Sequence, residues 1–209
     1  MNTKSPAGLG LRERKKLAAR AALSEAAMRL ALDRGFEHVL VEDIAREVGV
    51  TSRTFNNYFS SKEEAIVSLA FARAAQVQAA LAARPADEPL WDALGHAFAE
   101  VYPFDDEWRH HAQLVRNTPV LAAEQFKAFA AIERALAEEI ARRIGADSTR
   151  DVYPRLAGAA AVTAIRVAVD HYLDNDPDGS FLPVLGDVLR RIGAGLPEPE
   201  QRPRRADRP

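Results

Sequence analysis

Apolar side chains recur along this sequence at intervals of three and four residues, the spacing that places them on one face of an α-helix. Leu23, Ala27 and Leu30 show this spacing, and almost no segment alternates as a β-strand does. The pattern predicts an all-α protein of about nine helices. The predicted helices cover approximately residues 11–34, 41–48, 52–59, 61–84, 87–101, 105–117, 119–144, 150–173 and 181–192.

Several predicted helix ends carry local signals. Gly35 permits the left-handed backbone that ends the first helix, and Phe36 follows where a Schellman motif places its apolar contact. Ser61 and Glu64 have the spacing of a capping box at the start of the fourth helix. Gly145 is expected to end the seventh helix in the same way as Gly35 ends the first.

The segment 41–59 has the form of two short helices joined by a tight turn. Gly49 permits the positive φ that such a turn needs, Val50 fills the corner, and Thr51 can cap the second helix. The inner positions of the two helices are apolar. They are Ile44, Ala45 and Val48 on the first helix, and Phe55, Tyr58 and Phe59 on the second.

The opposite side of the second helix is polar and carries Ser52, Arg53, Asn56 and Asn57. In the major groove of DNA, arginine pairs with guanine and asparagine with adenine. The alternative is that these side chains are simply solvated. Two adjacent asparagines argue against this alternative, because asparagine is a weak helix former.

Charge is distributed unevenly along the chain. The net charge of the whole chain is −2, but residues 1–62 include 11 basic and 7 acidic residues and are therefore net basic. The remainder of the chain is net acidic. This asymmetry favours an N-terminal contact with a polyanion, although chance clustering would give the same pattern. The absence of cysteine excludes disulfides, thiolate metal sites and a cysteine nucleophile.

The helix-turn-helix segment resembles the N-terminal domain of TetR-family regulators. The resemblance rests on Gly35-Phe36 and on the runs 41–45, 49–55 and 58–63, with matching spacing through three helices. It implies that Thr54, Tyr58 and Lys62 contact phosphates. The chain departs from the family pattern at Val39 and Leu40, where the family usually has threonine. The helix-turn-helix motif and the family resemblance together define the expected DNA contacts. They are Thr51, Ser52, Arg53, Thr54, Asn56, Asn57, Tyr58 and Lys62.

Basic residues also precede this motif. Such residues can hold phosphates or enter the adjacent minor groove, whereas a solvated helix end is the alternative. The group consists of Lys4, Arg12, Arg14, Lys15, Lys16 and Arg20, of which Arg12, Arg14, Lys15 and Lys16 are the expected DNA contacts. The expected organisation is a flexible basic arm at 1–10, a DNA-binding domain at 11–60, a ligand-binding and dimerisation domain at 61–195, and a disordered, proline-rich tail at 196–209.

The C-terminal body resembles more loosely one branch of the same family, with an acyl-CoA-like ligand-binding domain, which includes the regulator of the mycofactocin system. The resemblance rests on the runs 114–121, 157–162 and 171–173. It implies a homodimer through the eighth and ninth helices. Small residues at Ala157 to Ala161, Ala164 and Ala168 would admit a partner helix, and Val162, Ile165 and Val169 would supply apolar burial.

Aromatic residues concentrate in the fifth to seventh helices, where they form either an ordinary core or the lining of a ligand cavity. Arg166 could bind an anionic group of a ligand, or pair with Asp170 one turn later, which we favour. Arg116 lies nearby. The aromatic candidates are Trp91, Phe98, Tyr102, Phe104, Trp108, Phe126 and Phe129.

These features predict a cytoplasmic, dimeric, ligand-responsive repressor that binds a DNA operator and needs no cofactor or metal. The first guess for the ligand is a fatty acyl-CoA. An alternative is a TetR-like DNA-binding protein with an architectural or cell-division role and no ligand. A helical enzyme is the least supported, because the sequence has no nucleophile triad, P-loop, dinucleotide loop or metal motif.

Overall fold

In a computed structural model, which describes residues 10–177 and 179–196, the predicted pattern becomes nine α-helices and one 3-10 turn at Phe36–His38. No strand is present in these ranges. The helices are α1 (Leu11–Arg34), α2 (Val41–Glu47), α3 (Ser52–Asn56), α4 (Lys62–Ala83), α5 (Leu90–Val101), α6 (Asp106–Asn117), α7 (Pro119–Ile144), α8 (Val152–Asn175) and α9 (Phe181–Gly193). The predicted tail beyond Leu196, and the predicted arm apart from Gly10, lie outside the described residues.

Helix ends follow their local signals with two exceptions. The Ser61 hydroxyl accepts a hydrogen bond from the Glu64 amide, and Gly145 has the left-handed conformation that ends α7. The Glu64 carboxylate, however, accepts from the amide and hydroxyl of Ser60 rather than from Ser61. The Schellman prediction at Gly35 is also wrong, because its φ of 83° is combined with an extended ψ of 139°. The chain therefore enters the 3-10 turn directly.

The apolar side chains form two cores, and the first extends beyond the predicted domain boundary at residue 60. It joins α1, α2, α3 and the start of α4 to Val115 of α6 and to Leu121 and Ala128 of α7. Within it, the buried hydroxyls of Ser24 and Ser68 bond α1 to α4. The helix-turn-helix is thus packed directly against parts of the C-terminal body.

The second core is built from α4 to α9, with Trp108 as the buried contribution of α6. Within it, α7 and α8 approach closely at Gly158, where an added Cβ would lie 2.8 Å from the carbonyl oxygen of Glu133. Ala157, Ala161, Ala164 and Ala168 are likewise buried within the chain. The expectation that small residues of α8 admit a partner helix is therefore wrong for these four alanines, because other helices of the same chain cover them. Ala159 and Ala160 are half-buried, and for them it stays a prediction.

Two helices, α4 and α8, are long and apolar enough to cross a membrane by length and composition alone. Core helices pass the same test. Helix α4 contributes buried residues to both cores, for example Ile66 and Leu81, and α8 contributes residues such as Val162 to the second. Packing within the chain therefore accounts for part of their apolar character.

Candidate DNA interface and effector cavity

The turn between α2 and α3 has the geometry that the sequence predicts. Gly49 has φ 74°, and the Val50 amide donates to the Ala45 carbonyl at 2.9 Å. The Thr51 hydroxyl accepts from the Thr54 amide at 3.2 Å and so caps α3. These bonds fix the angle at which α3 leaves the turn.

The two sides of α3 differ sharply in exposure. Phe55 and Phe59 are fully buried, with their ring centroids 5.5 Å apart, and anchor this segment in the first core. Arg53 and Asn56 are exposed on the opposite side. The helix ends at Asn56 rather than at Phe59, because the chain turns there to reach the Ser61 cap.

The residues after α3 keep the exposure that a DNA contact needs. Asn57 is exposed and Tyr58 half-buried, both in the turn between α3 and α4. Thr51 is also exposed, while Ser52 and Thr54 are half-buried. The predicted base-contact and phosphate-contact side chains are therefore all exposed or half-buried, although they do not share one helix.

Lys62, the first residue of α4, is already engaged within the chain. Its Nζ donates to the carbonyl oxygens of Phe36 and Val39, at 2.9 and 3.0 Å, and lies 4.1 Å from the centre of the Phe36 ring. Before α2, where the expected threonine is missing, the Leu40 amide instead donates to the Asp43 carboxylate at 3.3 Å.

The basic residues in the first half of α1 divide into two groups. Arg20 donates to the Tyr58 carbonyl at 2.8 Å and lies 4.2 Å from the centre of the Phe59 ring, so it ties α1 to the helix-turn-helix. The others are exposed on the first turns of α1: Arg12, Arg14, Lys15 and Lys16. Lys4 lies outside the described residues.

The C-terminal body contains a cavity of about 250 Å³ between α4, α6, α7 and α8. Its walls carry seven aromatic rings, six of which the sequence singles out. The seventh, Phe181 at the start of α9, lies far along the chain from the aromatic cluster and was missed. The rings belong to Phe98, Tyr102, Phe104, Trp108, Phe126, Phe129 and Phe181.

Four of these rings form a continuous cluster. Tyr102 and Phe104 lie nearly parallel with centroids 5.5 Å apart, and Phe104 also meets Trp108 at 4.9 Å and Phe181 at 4.5 Å. Phe104 holds this central place with a φ of 47°, a left-handed conformation that costs a bulky residue on the order of 1 kcal/mol or more. The surrounding packing maintains the strained conformation.

Trp91, which the sequence also singles out, does not line this cavity. It packs on the other side of α5 against Gly193 of α9, where an added Cβ would lie 2.8 Å from the indole ring. Helical spacing identifies Trp91 as an inward-facing residue, but it cannot tell which of two neighbouring helices the ring meets.

The polar side chains of the cavity are mainly basic. Arg166 pairs with Asp170 at 3.6 Å, as the sequence favours, and Arg116 pairs with Asp174 at 2.7 Å. Burial lowers the pKa of His111, although the Glu107 carboxylate opposes this, and burial raises the pKa of Tyr102. Sequence reasoning missed Arg73, His111 and Gln125, which also line the cavity.

One wall of the cavity belongs to the first core. Met28 of α1 and Ile66 and Val67 of α4 line it, and all three are buried together with residues of the helix-turn-helix. A molecule that fills the cavity would therefore contact the packing that holds the DNA-binding helices.

The outward face of α8 is apolar and exposed. Val152, Leu156 and Val167 are 77%, 63% and 42% exposed, and Leu182 of α9 is also exposed. The residues that the sequence assigns to burial at a dimer interface lie elsewhere. Val162, Ile165 and Val169 line the cavity, because the register of α8 turns them inward.

Comparison with known proteins places both halves of the chain in one family. Residues 17–67 match the family model described as bacterial regulatory proteins of the tetR family, and residues 88–197 match the MftR C-terminal domain. The chain is 38% identical to the HTH-type transcriptional regulator TcmR of Streptomyces glaucescens over 191 residues, covering 86% of this chain and 84% of that protein.

Two further comparisons agree. The chain is 30% identical over 178 residues to a Mycobacterium tuberculosis protein named as the mycofactocin biosynthesis transcriptional regulator MftR, covering 83% of this chain and 89% of that one. The solved structure of the fatty acid degradation regulator FadR of Bacillus halodurans has a TM-score of 0.55 at 18% identity, with 93% of this chain and 98% of that chain covered. The last likeness concerns the fold alone.

Proposed function

The chain belongs to the TetR family of transcriptional regulators, and from this premise we propose that it is a repressor released from its operator by a small effector. Proteins of this family bind DNA operators as dimers and respond to small molecules, and they are regulators rather than enzymes. The observation that carries the proposal is an aromatic, arginine-bearing cavity whose wall is shared with the core of the helix-turn-helix.

DNA recognition is assigned to the exposed surface of α3 and its flanking turns. Arg53, Asn56 and Asn57 would contact base edges, while Thr54, Tyr58 and Lys62 would contact phosphates. The exposed basic residues at the start of α1 would add phosphate or minor-groove contacts. Lys62 keeps a donor for phosphate because its ammonium group has three hydrogens, two of which are used within the chain.

Operator binding would use a homodimer formed through the exposed faces of α8 and α9. The two recognition helices would then enter successive major grooves, about 34–36 Å apart on a palindromic site. The apolar strip of Val152, Leu156 and Val167 supports this assignment, because contiguous exposed apolar surface on a helix marks an interface. We expect the dimer in the cytoplasm, where its operator is accessible.

The effector would be largely apolar with an acidic or thioester-linked polar end, and fatty acyl-CoA is the first class to test. Aromatic rings would contact the apolar part, at about 25 cal/mol per Å² buried, and the cavity arginines would receive the polar end. A cavity favours this function over a ligand-free architectural role. A coupling of about 1–3 kcal/mol would weaken operator binding about 5–150-fold.

The test is a band-shift titration of the dimer on its captured genomic operator with acyl-CoAs of increasing chain length. The same ligands are added in thermal melts. Release of DNA and a rise in melting temperature should occur over one concentration range, because the two equilibria are linked. If no chain length changes either quantity, acyl-CoA is excluded as the effector class.

A further inference from the structure

The three arginines that line the cavity differ in how their charges are compensated. Arg116 and Arg166 each face a carboxylate, that of Asp174 and that of Asp170. Arg73 of α4 has no hydrogen-bond acceptor or carboxylate partner among the residues that the structure describes. It is half-buried, and its guanidinium carbon lies 5.4 Å from the centre of the Tyr102 ring.

The charge of Arg73 reaches other polar groups of the cavity. Burial raises the pKa of Tyr102, and the charge of Arg73 opposes this rise. Burial lowers the pKa of His111, the Glu107 carboxylate opposes this, and the charge of Arg73 adds to the lowering. The Nδ1 atom of His111 is buried and has no hydrogen-bond partner. This part of the cavity therefore combines an uncompensated cation with an unsatisfied polar atom, both of which are costly in an apolar surrounding.

The apolar surface next to Arg73 is formed by flat rings. Phe98, Tyr102 and Phe104 follow one another with centroid separations of 6.3 and 5.5 Å, and Tyr102 and Phe104 are nearly parallel. Aromatic ligands gain from offset-stacked and edge-to-face contacts with such rings, beyond the area that they bury.

We propose that Arg73 binds the carboxylate of an aromatic acid whose rings lie among Phe98, Tyr102 and Phe104. The inference rests on the proposed function and makes it more specific, since it assigns the polar end of the effector to α4 rather than to Arg116 or Arg166. The geometry favours a free carboxylate, because a guanidinium binds a carboxylate through two parallel hydrogen bonds.

The position of Arg73 also connects the ligand to the DNA-binding part. The helix that carries it begins at Lys62, and its first turns, Ala65 to Val67, are buried in the first core. A carboxylate held by Arg73 therefore acts on the same helix that positions the helix-turn-helix. The position of the recognition helices would then respond to the contact between the ligand carboxylate and Arg73.

The test compares 2-naphthoate with 2-naphthamide, which has the same rings but no charge, by calorimetric titration of the full-length dimer. Wild-type protein should bind the acid at least about tenfold more tightly, as expected for a charge-assisted hydrogen bond. Arg73→Met should remove this preference, and Arg73→Lys should retain part of it. Arg134→Met, at an exposed arginine of α7 that does not line the cavity, is the matched control and should keep the preference of the wild type. Arg166→Met reports whether the other cavity arginine takes the carboxylate instead.

Three results would overturn the assignment. These are failure of the wild type to bind either compound, equal affinity for both, or a preference that survives Arg73→Met but not Arg166→Met. Circular dichroism and melting of each variant check that folding is intact, and the ratio of the two affinities is insensitive to a uniform loss of active protein. Failure of the proposed function would look different: naphthoate would bind through Arg73 and leave operator affinity unchanged.

Discussion

A single residue, Lys62, connects three features of the DNA-binding part. It starts α4, closes the 3-10 turn through the carbonyls of Phe36 and Val39, and lies on the predicted DNA surface. The family resemblance implies only the phosphate contact. The two internal hydrogen bonds show that its loss also affects the folded chain.

Lys62→Ala should therefore change two measurements. The free energy of unfolding should fall by about 1–3 kcal/mol, because two carbonyls lose a charged donor. The slope of log affinity against log salt should decrease by about one per subunit, because one phosphate contact is lost. Urea melts and binding titrations at several salt concentrations measure the two effects separately.

Arg53→Ala is the comparison, since Arg53 is exposed and its side chain makes no hydrogen bond or ion pair with another residue that the structure describes. It should leave the unfolding free energy nearly unchanged and relax base preference by about 1–3 kcal/mol at one position. An unchanged salt slope in Lys62→Ala would contradict the phosphate contact, even if the stability fell as expected.

Individual cavity residues were only partly predictable. Aromatic clustering identifies six of the seven rings that line the cavity, but it also includes Trp91, which faces α9. Phe181 and Arg73 were missed because they lie outside that cluster and reach the cavity only through tertiary packing. Composition thus locates the region of a site, while the packing of helices decides which side chains enter it.

At the scale of helices, local signals were more informative. The Ser61 cap and the Gly145 terminus lie where the sequence indicates. The prediction for α3 was three residues too long, because the apolar spacing of Phe55 and Phe59 continues through a non-helical turn. Periodicity records which side chains are buried, and a turn can bury them as well as a helix can.

The crossing of α7 and α8 gives a prediction at this scale. Gly158→Ala should lower the free energy of unfolding by about 1–3 kcal/mol, because the new methyl group would lie 2.8 Å from the backbone oxygen of Glu133. A backbone atom cannot move aside as a flexible side chain can. Thermal and urea unfolding measure the loss.

Gly95→Ala in α5 is the matched control, since it is also a helical glycine. Its new Cβ would lie 3.4 Å from a Leu189 methyl group, which is an ordinary contact. This variant should be neutral or gain up to about 1 kcal/mol from helix propensity. A Gly158→Ala protein as stable as Gly95→Ala would show that the two helices can separate at this crossing.

At the scale of the whole molecule, the two cores are interleaved rather than consecutive along the chain. Parts of α6 and α7 pack with the helix-turn-helix, and Met28 of α1 lines the cavity. A boundary at residue 60 follows the motif but not the packing. A dimer through α8 and α9 stays a prediction, and the exposed strip of α8 differs from the residues expected there, because the register of the helix depends on its intramolecular partners.

The exposed strip of α8 gives the last prediction. In a symmetric dimer each residue near the axis meets the same patch of the partner, so Leu156→Glu would place like charges in one buried interface. Sedimentation at micromolar concentration should then show a monomer with unchanged helical content. Operator affinity should fall about 10²–10⁴-fold, because the two recognition helices no longer bind as one unit. Val120→Glu, an equally drastic change at an exposed position of α7, should remain dimeric. A Leu156→Glu protein that stays dimeric and binds its operator normally would move the interface away from this face of α8.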